Sequence, residues 1–67
     1  MDSLPDQHID SLPKQKRREA YRQVGMVCAF RSEGLSEDQV AKRAKFESVE
    51  DMYFRLERWG LTGLLPP

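Results

Sequence analysis

Two groups of basic side chains dominate the chemistry this chain can offer. Lys14, Lys16, Arg17, Arg18 and Arg22 crowd into one short stretch, and Lys42, Arg43 and Lys45 form a second. Lys and Arg clustered in this way can hold phosphate oxygens, which position a protein on a nucleic-acid backbone. Positive charge at the start of a helix works against the helix dipole, so the first run asks for another use. Binding a polyanion or an acidic partner surface would be one, and a plain solubilising face is the other reading. Arg55 and Arg58, with Phe54 beside them, are the candidates for reaching base edges or groove walls.

Other chemistries find little to work with. The single Cys28 cannot close an intramolecular disulfide, His8 stands alone, and no Cys/His spacing resembles a zinc site. The chain has no paired nucleophile and base and no phosphate-cradling glycine loop. Its 67 residues are too few to build a water-excluding pocket, so no enzyme, cofactor or small-molecule substrate is expected. A chain of this length makes one small domain, near the lower size for an adequate core. No apolar run is long enough to span a bilayer and no signal-peptide core is present, so the expectation is a cytoplasmic protein without a membrane partner. The formal net charge of zero conceals an asymmetry. Asp2, Asp6 and Asp10 give residues 1–12 a charge of −3, while eleven bases against eight acids give residues 13–67 a charge of +3. An acidic arm on a mildly basic body is compatible with nucleic-acid binding and equally with an ordinary solvated surface.

The elements that must position these side chains read as an all-α, three-helix domain over residues 13–61. An acidic arm precedes it at 1–12, and an extended C-terminal tail, or the start of a linker, follows at 62–67. Asp2-Ser3-Leu4-Pro5 recurs as Asp10-Ser11-Leu12-Pro13, and the second copy predicts a helix with Ser11 at the N-cap. The first copy either starts a turn of its own or frays, unless the arm docks on a partner. The first helix is predicted over 13–33 and ends at Gly34, with Ala20, Tyr21, Val24, Val27 and Cys28 as its core stripe. Met26 and Phe30 lie roughly opposite, beside the small residues Gly25 and Ala29. They predict a second buried contact, with the arm or with another subunit.

The second helix is predicted over 37–44. Ser36 caps it, Gln39 completes a capping box, and Leu35 with Val40 has the spacing of a hydrophobic staple. The third is predicted over 49–59, capped by Ser48 with Asp51 three residues on. Val40, Ala41, Ala44 and Phe46 point inward, as does the stripe Val49, Met52, Tyr53, Leu56 and Trp59. Gly60 is the expected stop, and Leu61, Leu64 and Leu65 are expected to fold over the core as an extended cap.

Leu35-Ser36-Glu37-Asp38-Gln39-Val40-Ala41-Lys42-Arg43-Ala44 resembles the first helix of bacterial and phage helix-turn-helix repressors, with small Ala41 where two helices cross. Phe46-Glu47-Ser48, Met52-Tyr53-Phe54-Arg55-Leu56, Gly60 and Thr62 are similar to the second helix-turn-helix of AraC-type activators. The resemblance covers about 28 residues and implies a DNA-binding domain. It has two departures. Such families place Gly at the turn, where this chain has Lys45, so a strained or differently shaped turn is expected. The outer face of the third helix shows Glu50, Asp51, Phe54, Arg55, Glu57 and Arg58, which sums to −1 on the helix meant to enter a groove lined by phosphates.

Two functions follow as expectations. One is a small DNA-binding regulator or a phage or mobile-element accessory factor. It would clamp duplex phosphates with Lys42, Arg43, Lys45 and the bases of the first helix, and dimerise through Met26 and Phe30. The other is a protein-interaction or oligomerisation module that docks a partner through Phe54, Met26 and Phe30.

Overall fold

All three helices end, and two of them begin, where local chemistry dictates. The computed structural model describes residues 8–66. The first Asp-Ser-Leu-Pro copy and Pro67 lie outside the described residues. A 3-10 turn at Ile9–Ser11 is followed by α1 (Lys14–Ser32), α2 (Glu37–Arg43) and α3 (Val49–Arg58), and then by a second 3-10 turn at Thr62–Leu64. No strand occurs among the described residues. The all-α, three-helix reading holds.

Both serine caps form as predicted. Ser36 Oγ accepts from the Gln39 amide at 3.3 Å, and Ser48 Oγ accepts from the Asp51 amide at 3.0 Å. The reciprocal half of each box differs from expectation. The Gln39 side chain accepts from Arg43 Nε at 3.5 Å, and Asp51 Oδ2 accepts from the Glu47 amide, one residue before the cap, at 3.3 Å.

At their C-termini all three helices close in the same way. The residue after the C-cap takes a left-handed φ, at Gly34 (85°), Lys45 (71°) and Gly60 (82°). Two backbone bonds then seal each end: Leu35 N to Phe30 O and Gly34 N to Arg31 O; Phe46 N to Ala41 O and Lys45 N to Lys42 O; Leu61 N to Leu56 O and Gly60 N to Glu57 O. These are Schellman closures, which satisfy carbonyls that the helix leaves without partners.

Ile9, Ala20, Val27, Val40, Ala41, Ala44, Phe46, Met52, Leu56 and Trp59 form the buried core. The inward residues predicted for α2, its turn and α3 are all there, with Val49 and Tyr53 half-buried at its edge. The Phe46 and Trp59 rings pack at 6.3 Å between centroids, tilted by 49°.

The face of α1 is rotated from the prediction. Ala20 and Val27 are buried, but Tyr21 and Cys28 are exposed. Two polar residues turn inward instead, because each satisfies carbonyls on another element. Gln23 Nε2 donates to Ala44 O at 3.1 Å and Lys45 O at 3.4 Å, while Arg31 Nη1 donates to Leu64 O at 2.6 Å. Met26 and Phe30 are therefore not on an opposite, unpartnered face: both are half-buried against the core.

Two further corrections concern the ends. α1 starts at Lys14 with Pro13 at the N-cap, not at Ser11, because Ser11 closes the 3-10 turn through its amide to His8 O at 2.8 Å. That turn belongs to the fold. Ile9, within the stretch read as an arm, is only 1% exposed, and its amide donates to Trp59 O at 3.0 Å. The C-terminal segment coils at Thr62–Leu64 and is not extended throughout, while Leu61, Leu64 and Leu65 do pack on the core.

Candidate nucleic-acid interface and the adjoining groove

The ten basic side chains singled out from the sequence separate into three settings. Lys14, Arg18 and Arg22 are exposed at four-residue intervals along α1. Spaced by about 6 Å of helix rise, they make a cationic ladder. Lys16 faces another way, into a groove between α1 and α3, and Arg17 is half-buried. Lys42, Arg43 and Lys45 are exposed on α2 and its turn. Arg55 and Arg58 lie along α3, on the groove's other bank. No hydrogen bond or ion pair engages the side chains of Lys14, Lys16, Arg18, Arg22, Lys42 or Lys45 among the described residues.

The cations of α3 are in a different state. Arg55 Nε lies 3.2 Å from both carboxylate oxygens of Asp51, one turn earlier. Asp51 is held in turn by its cap bonds, so Arg55 is tethered to the start of its own helix. The Arg58 guanidinium sits 5.1 Å from the centroid of the Phe54 ring, a cation–π contact. Phe54 is 56% exposed and shares the outer surface with the exposed Glu50 and Glu57.

The groove has a volume of about 640 Å³. Leu12, Lys16, Glu19, Ala20 and Gln23 line one bank, and Phe54, Arg55, Arg58 and Trp59 the other. The buried Ala20 and Trp59 are its most enclosed walls, and Lys16, Arg55 and Arg58 outnumber Glu19 around it. A shallower cleft of about 360 Å³ separates α2 from the start of α3, with Lys42 and Phe46 among its walls.

Of the residues that hold these surfaces in place, one was not singled out from the sequence and another was expected elsewhere. Arg31 donates to Leu64 O and, through Nη2, to Glu37 Oε1 at 3.1 Å, which joins α1 to α2 and to the C-terminal turn. A signal existed: Arg31 continues the spacing of Val24 and Val27, a position where a charged residue must find partners. Its Nε is buried without a hydrogen-bond partner. Tyr21, expected in the core, donates its hydroxyl to Asp10 Oδ1. That bond raises the Tyr21 pKa above its ordinary value, with desolvation and the Asp10 charge adding to it and Arg17 opposing it. Among the described residues no cluster of three or more His, Cys, Asp or Glu side chains could hold a metal ion. No helix among them is long and apolar enough to cross a membrane.

No protein-family model, curated protein or solved structure matches this chain.

Proposed function

We propose that this chain is a small, non-enzymatic DNA-binding protein of the helix-turn-helix type, a cytoplasmic transcriptional regulator or a phage or mobile-element accessory factor. The reading rests on one observation above all: six basic side chains on α1, α2 and the turn that follows α2 are left without partners among the described residues. Uncompensated cations cost the folded state repulsion and are what a phosphate backbone would neutralise. In this reading α1 and α2 supply affinity. Arg55, tied to Asp51, contributes little, and α3 presents Arg58 and Phe54 to the groove wall.

The test is an anisotropy titration with mixed-sequence duplex DNA at two salt concentrations. Six phosphate contacts predict an affinity loss of about 10³ between 50 and 200 mM salt. Absence of binding at low salt would sink the proposal.

A protein-docking role is the second reading, favoured by the exposure of Phe54 between Glu50 and Glu57. An aromatic anchor ringed by charges of both signs suits a protein partner, or a second copy of the chain, better than phosphates. In that case Phe54→Ser abolishes partner binding or self-association while the salt dependence stays shallow.

A further inference from the structure

The α1–α3 groove brings the buried Ala20 and Trp59 together with the exposed Phe54 ring, and Lys16, Arg55 and Arg58 stand around them. A segment that fills it should carry a medium-sized apolar side chain flanked by carboxylates. This sequence contains such a segment: Asp2-Ser3-Leu4-Pro5-Asp6. We infer that the groove is a docking site for that acidic N-terminal segment of the same chain.

Three observations converge on it. The second copy of the repeat already reaches the groove, since its leucine, Leu12, is one of the lining residues. Charge is complementary, because the segment carries Asp2 and Asp6 and no base, while Lys16 and Arg58 outnumber Glu19 at the rims, Arg55 being already paired with Asp51. The chain also leaves the described residues at the right place. The His8 ring lies where a Cβ on Gly60 would sit, with its Cδ2 2.4 Å from that position, and Ile9 N is bonded to Trp59 O. Leu4 is four residues upstream of His8, a reach of about 13 Å at about 3.3 Å per residue. Phe54 is six residues before Gly60, about 9 Å along the helix. The segment is therefore long enough, and short enough to be held close. A polyanion drawn to the same cations would have to displace it.

The experiment compares amide and Arg side-chain NMR shifts of the full chain with those of the Asp2→Asn/Leu4→Ser/Asp6→Asn variant. Unchanged shifts of the core residues Val27, Met52 and Leu56 check that both chains keep the same fold. Shift changes at Lys16, Phe54 and Arg58 that persist on dilution are expected, and a peptide of residues 1–7 added to the variant should reverse them. Changes confined to residues 1–8, or centred on α2, would overturn the inference. So would groove changes that vanish on dilution, which would assign the site to a second copy's segment. None of these readings uses DNA, so failure of the DNA titration leaves them standing.

Discussion

Lys45 serves two ends that pull apart. Its left-handed φ of 71° closes α2, a conformation that costs a residue with a Cβ about 1 kcal/mol, and Gln23 holds the strained turn through two carbonyls. Its ammonium is also one of the unpartnered cations. Lys45→Gly should therefore raise the unfolding free energy by about 0.5–1 kcal/mol in urea titrations. The same change should weaken duplex binding and lower the salt slope by about 0.9. Stabilisation with unchanged binding would remove Lys45 from the phosphate contacts. Gly60 shows the opposite logic. Its φ of 82° and the His8 ring leave no room for a methyl group, so Gly60→Ala should cost at least about 1 kcal/mol and release His8 from α3. Arg31→Met removes the donors to Leu64 O and Glu37, and a loss of about 1–3 kcal/mol is expected on thermal melting.

At the scale of elements, α2 has only seven residues, far fewer than a helix needs to persist alone in water. Its existence depends on the Ser36 cap, the closure at Lys45 and the burial of Val40 and Ala41. Ser36→Ala and Ser48→Ala should each cost about 1 kcal/mol, read from chemical denaturation. These two helices were the legible part of the sequence, because caps, spacing and stops are local signals and all agreed. α1 was legible in extent but not in rotation. Tyr21 and Cys28 have the right hydrophobicity for the core, yet the orientation was decided by Gln23 and Arg31, whose carbonyl partners come from distant elements. The candidate cations were legible as a set. The tether of Arg55 to Asp51 is an i,i+4 pair that the spacing does encode, whereas the division of the α1 cations between an exposed ladder and a groove rim depends on how α1 faces α3, which spacing does not encode.

For the molecule as a whole, Ile9 is the least expected structural residue. It lies in a stretch dense with acids, proline and serine and has no periodic neighbours, yet it is almost fully buried under Trp59. Ile9→Ala should cost about 2–5 kcal/mol, comparable with truncating a central helix residue. The Asp10–Tyr21 bond fastens the same segment and makes it sensitive to alkali. A phenol whose pKa is raised in the folded state stabilises below its ordinary value of 10.0, and loses that contribution as the pH rises through the raised value. Ultraviolet titration should show Tyr21 ionising at lower pH in Asp10→Asn than in the parent chain. The bond from Ile9 to Trp59 also imposes an order on synthesis. The anchor's acceptor is made fifty residues after the anchor itself, about 3–10 s later at ordinary translation rates. Ile9 can meet α1, against which its turn packs, well before that time, but its closure onto the end of α3 has to wait for the whole of that helix to be made.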